Sequence, residues 1–219
     1  MIVAGHQPNY LPWLGFFDKM RQCDVFIIED IVQFEYQEFQ NRNRIKTPNG
    51  VKWLTVPVKK GRRYPQISEV EISSDNDWAK QHWLTLKSSY ARAPNWEKFC
   101  GFFEQTYSKE WNRLIDLNLY LIHGVMGFLG IDKELVMASS LGAPGNKNDL
   151  IIAQLKALGA DTLLSGIGGR GYLDLERFER EGIKVVFQDF KHPVYQQLWG
   201  DFVPNLSVVD YLFCCGKKL

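Results

Sequence analysis

Residues that could exchange protons with a ligand are concentrated near the N-terminus, in GHQPNYLPWLGFF at positions 5–17. His6 is a candidate general acid or base because an imidazole titrates near neutral pH, and Tyr10 is a second candidate catalytic group. Gln7 and Asn9 could hydrogen-bond a substrate from the same loop. The alternative is that His6 and Asn9 satisfy nearby backbone groups.

Cationic and amide side chains dominate a second stretch, FQNRNRIKTPNGVKWLTVPVKKG at positions 39–61. Its candidate substrate-binding residues are Asn41, Arg42, Asn43 and Arg44. The planar guanidinium of arginine suits phosphate or carboxylate. Side chains alternate along a strand, so the two arginines share one face, the two asparagines share the other, and only one pair can face a pocket. The alternative is a solvated edge strand protected by charge.

A glycine-rich segment, SGIGGRGYLD at positions 165–174, is the third candidate site. Glycine-rich loops after a strand can bind phosphate through backbone N–H groups, and Arg170 adds a positive charge. The spacing matches neither G-x-G-x-x-G nor a Walker A motif, so the motif alone is weak evidence for a nucleotide site. The candidate substrate-binding residues are Ser165, Gly166, Gly168, Gly169 and Arg170, whereas Asp174 could cap the next helix.

The remaining candidates are histidines and one tyrosine farther along the chain. His192 precedes Pro193, which favours an extended backbone, and is the third candidate catalytic residue. Tyr195 and His82 are candidate substrate-binding residues. The alternative for His82 is a histidine that only satisfies its own helix surroundings. His123 lies in the apolar run LYLIHGVMGFLG and is expected in the core.

Composition predicts one globular domain, residues 1–219. The chain is 45% hydrophobic and 23% charged, with a formal net charge of +1, and these are ordinary values for a folded domain. Such a charge gives no general attraction to nucleic acid or anionic lipid, so neither is expected as a partner. The local basic run of Lys59, Lys60, Arg62 and Arg63 is either a solvated loop or a phosphate site.

The cysteines indicate a reducing compartment. Cys23, Cys100, Cys214 and Cys215 form no C-x-x-C pair, so neither a metal site nor a disulfide framework is expected. The N-terminal MIVAGHQPNYLP does not resemble a signal peptide, and no apolar run approaches the roughly 20 residues that span a bilayer. We therefore expect a cytoplasmic protein that does not insert into a membrane.

The spacing of apolar residues predicts an α/β fold with a doubly wound, mostly parallel sheet. The chain opens with a strand at 2–4, a helix at 13–22 and a strand at 24–30. A hairpin at 40–58 turning at Asn49-Gly50, a short strand at 70–72 and a mainly helical insert at about 77–130 follow. Pro94 should break that insert, and Ser108 is a possible N-cap within it.

After the insert, predicted strands at 134–139, 162–165 and 184–190 alternate with helices at 148–158 and 173–181, before a last helical turn at 208–213. Ligands of doubly wound sheets bind beyond the carboxyl ends of the strands. The loops Gly5–Pro12 and Gly166–Gly171 each follow a predicted strand directly. We therefore expect these two loops to converge on one anionic ligand.

The order strand, polar loop, helix at the N-terminus is similar to that of nucleotidyltransferases and pantothenate synthetase-type ligases. Those enzymes carry H-x-G-H in the loop. When Pro8 is placed on their common proline, Tyr10 and Trp13 take the positions of the histidines. The similarity implies a nucleotidyltransferase or HUP-like topology with ATP as a candidate cofactor, while the missing histidines argue against ATP use by the same mechanism.

Four stretches together resemble the WbqC-like protein family. They are HQPNYLPWLGFFDKM, QNRNRIKTPNGVKWLTVPV, SGIGGRGYLD and HPVYQQLWGDFVPNLSVVDYLF, in this order over nearly the whole chain. Cys215 before Gly216 departs from the asparagine common in the family. The resemblance implies an association with bacterial surface polysaccharide and O-antigen gene clusters, and a role in attaching glycine or another amino acid to an amino sugar. It implies no catalytic residues.

The combined prediction is an enzyme that modifies a nucleotide-activated amino sugar by amide transfer. Its partners would be a nucleotide-linked sugar and an amino acid or acyl donor, with no metal, and its oligomeric state is open. Alternatives are an ATP-using nucleotidyltransferase-like enzyme and a non-catalytic protein that binds sugar nucleotides for other enzymes of the pathway.

Overall fold

The computed structural model describes residues 1–61, 65–74 and 76–219, so Arg62 and Arg63 of the basic run lie outside the described residues. The chain divides into two compact units. The first unit comprises Met1–Gln7, Gly15–Ile31 and Asp132–Lys191, and the second comprises Pro8–Leu14, Val32–Ile131 and His192–Leu219. Within the described ranges, no helix combines the length and the apolar composition that crossing a membrane requires.

The elements follow the predicted order. The strands are β1 (Ile2–His6), β2 (Val25–Ile28), β3 (Arg42–Thr47), β4 (Gly50–Thr55), β5 (Leu135–Met137), β6 (Thr162–Ser165) and β7 (Lys184–Phe187). The α-helices are α1 (Leu14–Arg21), α2 (Trp78–Tyr90), α3 (Trp96–Ser108), α4 (Leu114–Leu129), α5 (Lys147–Ala157), α6 (Leu175–Arg180) and α7 (Val208–Cys214). Short 3₁₀ turns occupy Ile67–Glu69, Ala138–Leu141 and Ile167–Gly171.

The strands of the first unit form a parallel sheet in the order β5-β2-β1-β6-β7. The chain first winds outward from β1 through β2 to β5, then returns to the other side of β1 at β6. The strand order therefore reverses between β1 and β6, which is a topological switch point. This sheet confirms the α/β prediction, whereas a specific HUP-like kinship stays a prediction.

Apolar side chains cover both faces of this sheet. On one face, Val3, Ile27 and Leu163 pack in a cluster with Ile152 and Leu155 of α5. On the other face, α1 packs its aromatic side chains against β2, since Phe16 and Phe26 have ring centroids 5.2 Å apart. Because adjacent residues of a strand point to opposite faces, helices cover the sheet on both sides and hold its carboxyl edge in place.

The second unit contains the predicted hairpin and helical insert. Strands β3 and β4 pair antiparallel with Thr47 opposite Gly50, whose φ of 100° fits a glycine turn, as the Asn-Gly signal predicts. Pro94 separates α2 from α3 as expected. The Ser108 cap was wrong, because Ser108 ends α3 with its hydroxyl donating to Gln105 O, and Arg113 precedes α4 instead.

Two further expectations require correction. His123 is exposed on α4 although its neighbours in sequence are apolar, because an amphipathic helix also has positions that face solvent within an apolar run. The strand expected at 70–72 is reduced to isolated bridges, Val58 with Ile72 and Glu71 with Arg113. The helix expected at 173–181 begins later, at Leu175, since the Asp174 side chain caps it by accepting from Arg177 N at 3.1 Å.

Candidate functional site

The carboxyl edge of the parallel sheet brings Glu29, Gly5 and Ser165 onto one face at the ends of three adjacent strands. Gly5 is opposite Ile27, two residues before Glu29. The pairing of β1 with β6 is given by Ile2 with Thr162 and Val3 with Leu163. Continued by two residues, this register sets Gly5 level with Ser165. Alternation along each strand places all three residues on the face that α5 covers.

Glycine at position 5 makes room for the Glu29 side chain. A Cβ on Gly5 would lie 2.8 Å from Glu29 Oε1, which is closer than real Cβ contacts allow. The carboxylate therefore lies over β1 itself, at the switch point where ligands of such sheets bind.

The Glu29 carboxylate is held from one side only. Buried Gln154 of α5 donates from Nε2 to Glu29 Oε2 at 3.0 Å. The other oxygen accepts no hydrogen bond from the described residues, and the side chain is partly exposed. Burial raises the pKa of Glu29, although the Gln154 hydrogen bond and the Lys19 charge act in the opposite direction. A carboxyl group with a free oxygen and a raised pKa can accept a proton.

His6 and Lys19 lie on the other side of β1. The His6 ring packs edge-on against Phe16 of α1 at 5.0 Å, and its Nδ1 lies 3.0 Å from Gln7 O. The tautomer with the proton on Nδ1 would donate to that carbonyl and leave Nε2 as an acceptor. Buried Lys19 donates from Nζ to Gly5 O at 2.8 Å.

The charges at this edge follow from burial. Although His6 is partly exposed, the packing around its ring and the Lys19 ammonium lower its pKa to about 3, so the imidazole is neutral at pH 7. Burial lowers the pKa of Lys19 to about 8, and its ammonium remains mostly charged there. An imidazole with so low a pKa is a weak base, so its strongest contribution at neutral pH is a hydrogen bond.

The glycine-rich segment forms a 3₁₀ turn, Ile167–Gly171, directly after β6. Gly169 is buried and donates to Gly166 O at 2.9 Å. A Cβ on Gly169 would collide with Ser165 Oγ, so this glycine is needed for close packing. The exposed Arg170 stacks its guanidinium over Phe187 of β7 at 4.3 Å. The turn therefore adds a positive charge to the carboxyl edge.

Tyr10 and His82 come together inside the second unit, far from each other in sequence. The Tyr10 hydroxyl lies 2.8 Å from His82 Nδ1 and 2.5 Å from the Tyr107 hydroxyl, and all three side chains are buried. Burial lowers the pKa of His82 to about 4 and raises the pKa of Tyr10 well above its usual value. We call these three residues the hydroxyl cluster.

The asparagines of the second stretch satisfy backbone groups of their own unit. Asn41 donates to Val56 O at 2.9 Å and Asn43 donates to Leu11 O at 2.7 Å. Both are buried, as is Asn9. These two amides therefore donate to backbone carbonyls of their own unit, which neither interpretation of the stretch predicted.

The arginines of the same strand take the opposite face, as alternation requires. Arg42 and Arg44 stack on the exposed ring of Trp53, with guanidinium-to-centroid distances of 4.2 and 5.7 Å. Trp53 lies opposite Arg44 in the hairpin register. Neither guanidinium forms an ion pair in the part of the chain that the structure describes. This face could therefore accept an anion.

His192 and Tyr195 stack in the C-terminal segment with centroids 6.0 Å apart. His192 is partly exposed, and its Nδ1 lies 2.9 Å from Pro193 O. The Tyr195 hydroxyl donates to Asp210 Oδ1 at 2.8 Å, so it is already engaged. Asp210 is fully buried and also accepts from the Tyr90 hydroxyl at 2.9 Å.

Sequence reasoning missed Lys19, Glu29 and Gln154. Glu29 directly follows a buried strand, so the rule that selected the loops after β1 and β6 also selects it. Lys19 lies among the apolar residues of α1, and a charge on the apolar side of an amphipathic helix was the available signal. Gln154 gave a similar signal within IIAQLKA. The predicted residues His6, Gln7 and the Ser165–Arg170 segment lie in the same unit as these three.

Comparison with known proteins identifies the family. The chain is 35% identical over 219 residues to a protein of Mycobacterium tuberculosis (strain ATCC 25618 / H37Rv) named "Uncharacterized protein Rv1507c", covering 99% of this chain and 94% of that protein. No solved structure matches the chain. The family model described as "WbqC-like protein family" matches residues 7–219. The chain therefore belongs to the WbqC-like protein family.

Proposed function

We propose that this protein modifies a nucleotide-activated amino sugar in bacterial cell-surface polysaccharide biosynthesis, by forming an amide between glycine or another amino acid and the sugar amine. The observation that supports the proposal is the grouping of proton-transfer groups and a cationic turn at the switch point of one parallel sheet. Amide formation on a sugar nucleotide needs both, because an amine must lose a proton while a diphosphate is held.

The roles divide naturally along the sheet edge. Arg170 and the N–H groups of the Gly166–Gly171 turn would bind the diphosphate, which is the anionic part of the substrate. His6 and Gln7, at the end of β1, would orient the amine through hydrogen bonds. The acyl donor would arrive already activated or be activated with ATP.

The second unit, taken by itself, offers an alternative anion-binding face. Arg42 and Arg44 form a cationic face around Trp53, which suits a phosphate or a carboxylate. His192 is partly exposed, with its Nδ1 2.9 Å from Pro193 O. These residues stay candidates for substrate binding, with His192 also a candidate acid or base.

The direct test is to incubate the purified protein with a dTDP-amino sugar, glycine and ATP, and in parallel with glycyl adenylate or a glycyl thioester. Mass spectrometry should detect a sugar nucleotide that has gained one glycyl residue. His6→Ala should slow this reaction, while His123→Ala, at an exposed helix position, should leave it unchanged. No glycylated product with any of these donors would contradict the proposal.

The strand order favours one alternative. In this parallel sheet the strand order reverses between β1 and β6. Nucleotide-binding α/β proteins hold their ligand at such a reversal. An ATP-using nucleotidyltransferase-like enzyme would bind ATP or CTP without any sugar, which calorimetry can measure. A non-catalytic member would bind the sugar nucleotide and return it unchanged.

A further inference from the structure

We infer that Glu29 is the group that takes the proton from the substrate's primary amine, with Gln154 and Lys19 as positioning residues. The identity of the amine rests on the function proposed above. The assignment of Glu29 itself rests on the geometry of the sheet edge, which is independent of the substrate.

The first step of the argument is location. Glu29 follows β2 directly, and its carboxylate crosses to the neighbouring strand, over Gly5 of β1. That position is the reversal of the strand order, beyond which the two halves of such a sheet diverge. A reacting group belongs there, because the carboxyl ends of the strands present it to a ligand from a rigid base.

The second step is the unequal use of the two carboxylate oxygens. Oε2 accepts from the buried amide of Gln154, while Oε1 accepts nothing from the described residues. Oε1 is not among the buried polar atoms that lack a partner, so solvent or a ligand can reach it. Within the described chain Glu29 forms no ion pair, not even with Lys19. Oε1 is thus left for a ligand.

The third step is what Lys19 contributes. Its ammonium is buried and donates to Gly5 O, the carbonyl of the β1 residue over which the Glu29 carboxylate lies. From there its charge favours the ionised form of Glu29 and disfavours protonation of His6. Lys19 therefore keeps the carboxylate ready to accept a proton and keeps His6 neutral. Burial acts against it by raising the Glu29 pKa, which strengthens the carboxylate as a base.

The chemical step balances with an activated acyl donor, such as an acyl adenylate or a thioester. The amine nitrogen attacks the acyl carbon and forms the new C–N bond. The bond from that carbon to its leaving group breaks, and the leaving group departs with the electron pair. The amine proton passes to Glu29 Oε1, from which solvent removes it. Neutral His6 accepts or donates a hydrogen bond and carries no net proton.

The experiment compares Glu29→Gln with Glu179→Gln, an exposed glutamate of the same unit. Glutamine retains the size of the side chain and the hydrogen bond to Gln154 through its carbonyl oxygen. We expect kcat to fall by at least about 100-fold in Glu29→Gln, the usual loss for a general base, with an unchanged Kd for the sugar nucleotide. Glu179→Gln should behave as the native protein. A fully active Glu29→Gln would overturn the inference.

A second readout needs no turnover, so it separates failure of this inference from failure of the proposed function. Carbon-13 NMR of the glutamate carboxyls, assigned with Glu29→Gln, gives the titration of Glu29 directly. Lys19→Met and Gln154→Leu should each raise the Glu29 pKa further, because each removes a group that favours the carboxylate. Glu179→Gln should leave it in place.

The two measurements distinguish every outcome. If Glu29 titrates in the ordinary range of an exposed glutamate and ignores Lys19→Met, the inference is wrong whatever the enzyme does. The other outcome is a Glu29 pKa that is raised and rises further in Lys19→Met, while the native protein forms no glycylated product. In that case the assignment of Glu29 stands and the substrate is another amine. Gly5→Ala provides a further check, since its methyl group should displace the carboxylate and lower kcat without removing Glu29.

Discussion

The two units both contain polar side chains within their packed interiors, but they use them differently. In the second unit, the hydroxyl cluster of Tyr10, His82 and Tyr107 pairs its polar atoms with one another. In the first unit, Glu29 keeps one carboxylate oxygen without a described partner. Polar side chains thus serve stability where they are mutually satisfied and are available for chemistry where they are not.

Two carboxylates, one in each unit, show the contrast most directly. Asp210 of the second unit accepts from the hydroxyls of Tyr90 and Tyr195 and from the amide of Gln197. Glu29 accepts from a single amide. Burial raises the pKa of both carboxyls, so the direction of the pKa shift does not distinguish them. The number of donors does, and it predicts that Asp210 matters to folding and Glu29 to reaction.

The largest expected effect is the loss of stability in Asp210→Ala. This change leaves two tyrosine hydroxyls and the Gln197 amide without their acceptor and removes the negative charge near Lys46. The free energy of unfolding should fall by about 3–5 kcal/mol, the usual cost of breaking a buried charged network. Urea denaturation followed by tryptophan fluorescence measures it, with Asp189→Ala, an exposed aspartate, as the control. A loss below about 1 kcal/mol would remove the contrast.

The second effect is acid sensitivity that originates in the hydroxyl cluster. His82 has a pKa of about 4 in the folded chain and an ordinary value near 6.5 when unfolded. Between these values the unfolded chain binds a proton that the folded chain does not. The free energy of unfolding should therefore be unaffected by His82 above pH 6.5 and fall as the pH drops toward 4, by roughly 3 kcal/mol in total.

His82→Gln isolates this contribution. Between pH 7 and pH 4, the free energy of unfolding should change less with pH in His82→Gln than in the native protein. This holds whatever the absolute stability of the variant. His123→Gln should retain the native slope because His123 is exposed. His6, with a pKa of about 3, contributes in the same direction in the first unit, so some acid sensitivity should remain. An unchanged slope in His82→Gln contradicts the assignment.

The third effect separates the two roles considered for Tyr10. Tyr10→Phe leaves His82 Nδ1 and the Tyr107 hydroxyl without the group between them. If Tyr10 is structural, the free energy of unfolding should fall by about 1–3 kcal/mol while kcat is unchanged. If it is catalytic, kcat should fall instead. Tyr36→Phe, at an exposed tyrosine, is the matched control for both measurements.

The sequence was sufficient for the sheet because its signals are local. An apolar run such as VFII specifies a buried strand, and alternation of strands with helices specifies parallel pairing. The rule for the carboxyl ends then located His6 and the turn after β6. The same rule also selects Glu29, which directly follows β2. The sequence pattern alone indicates only the acidic boundary of a strand at this residue.

Other features depend on contacts between distant parts of the chain. Tyr10 and His82 form a hydrogen bond although they are 72 positions apart in sequence, and Asn43 and Leu11 O are 32 positions apart. The periodicity of a sequence does not indicate which distant backbone carbonyl a side chain will bind. The amides of β3 therefore looked like ligand groups, although their unit needed them for its own backbone. The division into two units is hidden for the same reason, since each unit collects separate segments of the chain.

The smallest expected effect concerns two arginines that stack on aromatic rings, one in each unit. Arg170 of the first unit lies over Phe187 at the sheet edge, and Arg42 of the second lies over Trp53 on the hairpin. An exposed charge contact contributes up to about 1 kcal/mol, so alanine at either position should weaken sugar-nucleotide binding about fivefold. Calorimetry at low and high salt tests this, with Arg180→Ala as the control.

The pattern across these variants decides which unit holds the diphosphate. If only Arg170→Ala weakens binding and reduces its salt dependence, the diphosphate lies at the edge that carries Glu29. If only Arg42→Ala does so, the anion site is the hairpin face of the second unit and not the turn after β6. Equal losses would mean that each cation contributes to anion binding. If neither alanine changes affinity, anion binding at both positions is refuted. Each arginine was proposed to attract the anion through its positive charge, which alanine removes.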